Sequence, residues 1–98
     1  EHYAATKAGV NSMIQGLAVE YARYGIRANS ILPGWIESAM TQKAFNNEIF
    51  QKKVLTRVPQ RRWGTRQDFS GLAIYLASDA SSYHTGDYFL IDGGYSAF

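Results

Sequence analysis

The chain has 98 residues, enough for one small core but few for an open α/β fold with its own cofactor site. An apolar share of 46% argues against disorder, and a net charge of +2 gives no strong bias towards an acidic partner. The absence of cysteine excludes disulfides and thiolate metal sites and is compatible with the cytoplasm. No apolar run approaches the roughly 18 residues of a membrane span, so no membrane partner is expected.

The first element is predicted to be a helix from Tyr3 to Tyr24, because its apolar residues recur at three- and four-residue spacing. Gly25 should end this helix. The next stretch, from Ile26 to Leu32, predicts a buried strand closed by the turn Pro33-Gly34. A helix followed by a strand is typical of α/β folds. The apolar helix residues are Val10, Met13, Ile14, Leu17, Ala18, Tyr21 and Ala22.

The middle of the chain, residues 35 to 58, has an irregular apolar pattern that predicts short helices broken near Asn46-Asn47. Thr65 followed by Asp68 is a helix start of the capping-box kind. Apolar residues then recur at helical spacing until about Ser78-Asp79. The sequence therefore predicts a flap of short helices and then one regular helix.

The middle of the chain also holds six of the ten basic residues in a stretch without acidic residues. Such a cluster can face phosphates, but here it lacks interleaved aromatic residues and any groove-reading motif. We interpret it as a solvated helix face and loop, and expect no nucleic-acid partner. The six residues are Lys52, Lys53, Arg57, Arg61, Arg62 and Arg66.

A second strand is predicted from Tyr88 to Ile91 and is followed by Asp92-Gly93-Gly94. One carboxylate with two glycines has too few ligands for a metal ion, so this segment is interpreted as a strand-ending turn. His2 and His84 have no ligand-spaced partner and are expected at the surface. Strand, helix and strand in this order predict parallel pairing with a right-handed crossover. Because two parallel strands are too few to stand alone, the chain should form one edge of a larger sheet.

Tyr3 and Lys7 are the candidate acid/base pair. Residues four apart on a helix share one face, so the two side chains can converge on one substrate. A free phenol has a pKa of about 10. A neighbouring ammonium lowers that pKa towards the working range of a general base. The spacing alone is weak support, because such a pair arises readily by chance. An exposed helix pair is the alternative.

Several short motifs follow one another along the whole chain. They are Tyr3-Ala4-Ala5-Thr6-Lys7-Ala8, Arg27-Ala28-Asn29, Pro33-Gly34-Trp35-Ile36-Glu37-Ser38, Arg62-Trp63-Gly64, Leu76-Ala77-Ser78-Asp79, and Thr85-Gly86 with Asp92-Gly93-Gly94. In this order the motifs resemble the classical short-chain dehydrogenase/reductase family. The resemblance is greatest to the bacterial 3-oxoacyl-carrier-protein reductase and sugar or polyol dehydrogenase branches.

The resemblance implies the carboxyl-terminal portion of a doubly wound, parallel-sheet Rossmann fold. Residues 1–98 would supply an active-site helix, a strand, flap helices, a crossover helix and the last strand of one domain. The implied reaction is a hydride transfer, with NAD or NADP, that interconverts a ketone and a secondary alcohol. The resemblance further implies a small-molecule substrate, a cytoplasmic location and a homo-oligomer, either a dimer or a tetramer.

Site roles also follow from the resemblance. Tyr3 would exchange the proton with the substrate oxygen, and Lys7 would bind the nicotinamide ribose and activate Tyr3. Ile36 would meet the nicotinamide carboxamide through its main chain, and Ser38 stands where the family commonly has threonine near the pyrophosphate. The remaining implied positions are Pro33, Gly34 and Trp35 in the cofactor loop, and Met40, Phe45, Ile49 and Phe50 in the substrate flap. A plain strand-ending turn and ordinary packing of short helices are the alternatives for the loop and the flap.

The chain lacks several parts of such a site. It has no glycine-rich phosphate loop, and the family's carbonyl-polarising serine and relay asparagine precede the tyrosine. We therefore expect the chain to be inactive alone and the amino-terminal cofactor-binding half to be absent. The alternative is a non-catalytic interaction fragment, because in this family the active-site helix and the last helix and strand form subunit interfaces.

Overall fold

The computed structural model describes residues 2–37 and 47–97, with side chains described from Ala5 onward. The chain divides into two compact units. The first unit comprises Glu1–Leu32 and Ile74–Phe89, and the second comprises Pro33–Ala73 and Leu90–Phe98. Among the described residues, no helix combines the length and the apolar character needed to cross a bilayer.

The first helix, α1, extends from His2 to Tyr21 and continues as a 3-10 turn from Ala22 to Tyr24. Gly25 follows with a φ of 76°, and its N–H donates to Ala22 O. A left-handed residue at this position is the usual way to end a helix, and glycine adopts it without steric cost. The predicted end of the helix at Gly25 is confirmed.

The apolar residues of α1 do not form a single buried stripe. Ala18 is buried and Ile14 is half-buried, but Met13 is 59% exposed and Val19 is 82% exposed. Apolar side chains lie around much of the helix circumference, so covering them requires neighbours on more than one side. The described residues cover only the face that contains Asn11, Ile14 and Ala18.

A two-stranded sheet connects distant parts of the sequence. Its strands are β1 (Ser30–Pro33) and β2 (Tyr88–Ile91). The N–H of Ser30 donates to Asp87 O, and the N–H of Gly34 donates to Ile91 O, each at 3.0 Å. Residue numbers therefore rise together along both strands, and the predicted parallel pairing is confirmed. The predicted bounds of the second strand are also confirmed.

The prediction that the first strand begins at Ile26 is wrong, because the strand begins at Ser30. In the residues before Ser30, side-chain bonds accompany the main-chain contacts. The Asn29 side-chain oxygen accepts the N–H of Asp87 at 3.0 Å, and Ala28 O accepts the N–H of Gly86 at 2.8 Å. Asn29 therefore pairs with the later segment through its side chain, and the regular strand starts at Ser30.

The second helix, α2, extends from Glu48 to Leu55 and buries Val54. Asn47 is its N-cap, and the Asn47 side-chain oxygen accepts the N–H of Phe50 at 3.0 Å. This cap satisfies one of the backbone donors left unpaired at a helix start, which explains why a helix begins where the sequence suggested a break. The rest of the predicted flap, residues 38–46, lies outside the described residues.

The third helix, α3, extends from Gln67 to Ala77. Just before it, the N–H of Thr65 donates to the Asp68 carboxylate at 2.8 Å, as the predicted capping motif requires. Ser78 follows as the N-cap of a short 3-10 turn. The predicted start and end of this helix are both confirmed.

His84 is not a plain surface residue, which corrects the sequence-based expectation. Its side chain is half-buried and lies 2.7 Å from the Tyr75 hydroxyl through Nδ1 and 2.7 Å from Asp87 through Nε2. The Phe89 ring packs against the imidazole at 4.9 Å between centroids. The hydrogen bond from His84 holds the pKa of Asp87 below its ordinary value. His84 thus stabilises the segment that leads into β2.

Candidate functional site

Tyr3 and Lys7 both lie on α1, which is unbroken between them. Their spacing of four residues places both positions on one face of the helix. Lys7 is half-buried, and the side chain of Tyr3 lies outside the described residues. Asn11, one turn further along this face, accepts a hydrogen bond from the buried Ser30 hydroxyl at 2.7 Å. The face that carries the candidate pair is therefore the face that packs on the start of β1.

Gly34 begins the candidate cofactor loop, which follows β1. A Cβ on Gly34 would lie 2.5 Å from Asp92 Cβ and 2.7 Å from Asp92 Cα, closer than such atoms can approach. Only glycine lets the ends of β1 and β2 lie this close together. The structure thus gives Gly34 a packing role in addition to the cofactor role implied by the resemblance.

The loop is paired with a second loop further along the chain. Gly64 N–H donates to Trp35 O at 2.8 Å, and Glu37 N–H donates to Gly64 O at 2.9 Å. These two bonds form a parallel bridge between Ile36 and Gly64. Gly64 uses both its N–H and its C=O in this bridge, whereas its partner Ile36 lies between the two bonded neighbours, Trp35 and Glu37. The N–H and C=O of Ile36 therefore point away from Gly64.

An aromatic cluster surrounds Trp35 in the same unit. The Phe50 ring packs edge-on at 5.6 Å between centroids, and the Trp63 ring does so at 6.0 Å. Edge-to-face packing is a favoured geometry for aromatic pairs. Phe50 thus links α2 of the predicted flap to the loop, whereas its neighbour Ile49 is 81% exposed. Three further predicted site residues, Ser38, Met40 and Phe45, lie outside the described residues.

Asp68 forms an ion pair with Arg62 in the second unit. The sequence identifies Asp68 only as part of a helix start, not as a site residue. Its carboxylate accepts hydrogen bonds from both terminal nitrogens of Arg62, at 2.8 and 2.9 Å, as well as from Thr65 N–H. The Arg62 guanidinium, and then the Thr65 N–H, hold the pKa of Asp68 well below its ordinary value. The local signal was an arginine six residues before an aspartate at a helix start, which is hard to recognise without the fold.

The turn after β2 has the role expected from its sequence. Asp92 accepts the N–H of Gly94 at 3.0 Å on one oxygen and the N–H of Ser96 at 2.9 Å on the other. Gly93 and Gly94 have φ angles of 65° and 93°, which favour glycine. The interpretation of Asp92-Gly93-Gly94 as a strand-ending turn is confirmed.

A cavity of about 360 Å³ lies beside this turn, within the second unit. Trp35, Ile36 and Phe69 contribute apolar wall, and Arg62 and Asp68 contribute polar wall. Because Arg62 and Asp68 bond to each other, their charges are already paired. The charged part of the cavity wall therefore carries no net charge.

Comparison with known proteins identifies the family to which this arrangement belongs. A family model described as enoyl-(acyl carrier protein) reductase matches residues 1–96. The chain belongs to the short-chain dehydrogenase/reductase family, as the order of its motifs indicates. Relatives in the sugar dehydrogenase branch include 2-dehydro-3-deoxy-D-gluconate 5-dehydrogenase of Pseudoalteromonas atlantica, which is 41% identical over 95% of this chain and 37% of its own length.

Solved structures of the family match the fold. A gluconate 5-dehydrogenase from Burkholderia cenocepacia, in complex with NADP and tartrate, has a TM-score of 0.89 at 36% identity, covering 98% of this chain and 38% of its own. A 4-hydroxyisoleucine dehydrogenase complexed with NADH has a TM-score of 0.90 at 33% identity, covering 98% and 40%. The expected fold, a portion of a doubly wound Rossmann fold, is confirmed. The chain spans little more than a third of the length of these relatives.

Proposed function

We propose that this chain is the carboxyl-terminal part of an NAD(P)-dependent short-chain dehydrogenase/reductase that interconverts a ketone and a secondary alcohol on a sugar or sugar acid. The observation that carries the proposal is the position of Tyr3 and Lys7, one turn apart on a single face of α1, in a chain of this family. The substrate class is supported by relatives named for gluconate derivatives.

Tyr3 and Lys7 carry the proton chemistry of the proposed reaction. When bound, the nicotinamide supplies or accepts the hydride. In reduction the Tyr3 hydroxyl donates its proton to the carbonyl oxygen, and in oxidation the Tyr3 phenolate accepts the proton of the alcohol. The Lys7 ammonium favours the phenolate and so lowers the pKa of Tyr3, and it also binds the ribose hydroxyls. Because Lys7 is half-buried, water screens its charge less than it would screen a fully exposed ammonium.

The loop after β1 holds the nicotinamide in this proposal. Ile36 meets the carboxamide through its main chain, and the bridge to Gly64 gives that main chain a suitable direction. Pro33, Gly34 and Trp35 shape the loop, and the Ser38 hydroxyl serves the pyrophosphate. Since the nicotinamide and the pyrophosphate are the same in NAD and NADP, these contacts suit either cofactor.

The flap residues close over the substrate and exclude water from hydride transfer. Phe50 supports this role because it touches Trp35 in the loop. Ile49 is exposed next to it and is available to an incoming substrate. Met40 and Phe45 complete the proposed flap.

The remaining parts of the proposal concern the whole protein. The glycine-rich phosphate loop and the carbonyl-polarising serine come from residues outside this chain, so the isolated chain is inactive. The enzyme is a cytoplasmic dimer or tetramer. Apolar residues on α1, such as Met13 and Val19, are exposed and support a contact surface with another subunit. The same surface also favours the alternative, a non-catalytic oligomerisation fragment.

The test is an activity assay of the intact protein with NADH and NADPH against a panel of keto sugars and keto sugar acids. Lys7→Met should weaken cofactor binding and lower kcat, whereas Arg23→Met, which also removes a positive charge but at an exposed residue after the end of α1, should do neither. A protein that reduces no carbonyl in the panel and binds neither nucleotide would contradict the proposal and favour the oligomerisation fragment.

A further inference from the structure

The direction of the Ile36 main chain depends on a turn formed by residues 62–68, which we call the anchoring turn. Gly64 in this turn makes both hydrogen bonds of the bridge, to Trp35 O and from Glu37 N–H. The bonds lie on either side of Ile36, so a movement of Gly64 would move the main chain of Ile36 with it. The anchoring turn is therefore a second support of the loop, independent of β1.

The position of Gly64 depends in turn on one carboxylate. Asp68 binds Arg62 through two parallel hydrogen bonds, and it binds the N–H of Thr65 at 2.8 Å. Arg62 and Thr65 flank Gly64 on both sides. A fork-to-fork arginine–carboxylate pair fixes orientation as well as distance, unlike a contact between point charges.

Packing reinforces the same connection. The Trp63 ring, in the anchoring turn, lies edge-on to Trp35, in the loop, at 6.0 Å between centroids. The Arg62 guanidinium also donates to Trp63 O at 3.1 Å. The carboxylate therefore holds the main chain on both sides of Gly64 and the segment that carries Trp63.

We propose that Asp68 is a positioning residue of the cofactor site, acting through Arg62 and Gly64 on the main chain of Ile36. This inference rests on the proposed function of the loop. Asp68 touches neither cofactor nor substrate in this account. Its contribution is to keep the Ile36 peptide in the orientation that a nicotinamide carboxamide requires. An isolated ion pair of this exposure would stabilise the fold little, so its main effect should be on geometry.

The first test measures the bridge without any ligand. In the intact protein, Asp68→Ala should speed hydrogen exchange of the Glu37 and Gly64 amides, because both depend on the anchoring turn. The Gly34 amide is the internal control, since it is bonded to Ile91 O in β2 and its exchange should not change. Unchanged exchange at Glu37 and Gly64 would overturn the proposal.

The second test measures the cofactor site. Asp68→Ala should raise the Kd of NADH or NADPH by up to roughly 10-fold, the scale expected when a hydrogen bond to the carboxamide is weakened. Asp79→Ala is the matched control, an exposed aspartate at the start of a 3-10 turn. Circular dichroism should show both variants fully folded. If Asp68→Ala does not fold, Asp68→Asn, which keeps an acceptor for Thr65 N–H, applies the same two tests.

A double variant tests whether Asp68 acts through Arg62. Arg62→Met should also weaken cofactor binding, and the double variant should bind no more weakly than Asp68→Ala alone, because Arg62 acts through its pair with Asp68. Additive effects would overturn the proposal, as would an unchanged Kd in a folded Asp68→Ala protein. A parent protein that binds no nucleotide would contradict the proposed function instead, and the hydrogen-exchange result would still decide whether Asp68 anchors the loop.

Discussion

Replacing Gly34 by alanine should destabilise the protein, because the position has no room for a side chain. The added Cβ would lie 2.5 Å from Asp92 Cβ and 2.7 Å from Asp92 Cα. One of these contacts is to the main chain, so a flexible side-chain tip cannot simply move away. Relieving overpacking of this kind costs about 1–3 kcal/mol in the free energy of unfolding. In a domain of the family's size, that cost lowers the Tm by roughly 2–12 °C.

The assay is urea denaturation of the intact protein followed by circular dichroism, with Gly71→Ala as the matched control. Gly71 lies within α3 and has nothing within 4 Å of an added Cβ. The same substitution there should stabilise the helix by up to about 1 kcal/mol, because alanine has a higher helix propensity. A Gly34→Ala protein as stable as its parent would refute the claim that the ends of β1 and β2 need glycine at this position.

Two further predictions concern the second unit. Arg62 holds the pKa of Asp68 below its unfolded value of about 3.9, so this exposed pair contributes a small stabilisation above that pH and loses it as the pH falls towards the lower folded pKa. The urea midpoints of the parent and Asp68→Asn should therefore differ by a constant amount between neutral pH and about pH 5 and converge in stronger acid; a gap that widens in acid would contradict this. Asn47→Ala should cost about 1 kcal/mol by removing the acceptor for Phe50 N–H at the start of α2, whereas Asn47→Asp should keep the parent stability. Equal unfolding midpoints for the two Asn47 variants would show that this cap does not stabilise α2.

Short-range patterns were enough to predict several elements. The strand Tyr88–Ile91 and the helix beginning after Thr65 have their signals within a few residues, in β-favouring side chains and in a capping motif. The start of β1 was placed too early because Asn29 bonds to a segment far along the sequence. The residues next to Ile26 contain no sequence pattern that predicts a bond to so distant a segment.

The candidate site was predictable to a similar degree. The spacing of Tyr3 and Lys7 gives a shared helix face, but their proposed chemistry depends on the family to which the chain belongs. The bridge between Ile36 and Gly64, and its support by Asp68, join loops that are distant in sequence. Such tertiary pairings leave no periodic pattern in the sequence. The motifs can therefore be recognised from the sequence, but the contacts between them cannot.

The central claim is that Tyr3 transfers the proton that accompanies hydride transfer. The most direct measurement is a single-turnover reaction, in which the intact protein with NADH or NADPH bound is mixed with a reactive keto sugar and nicotinamide oxidation is followed by absorbance. Tyr3→Phe should slow this step by at least about 100-fold with little change in cofactor Kd, since only the transferable proton is lost. Tyr21→Phe, the same change on the same helix, should react at the parent rate. A Tyr3→Phe protein that reacts as fast as Tyr21→Phe would contradict the account.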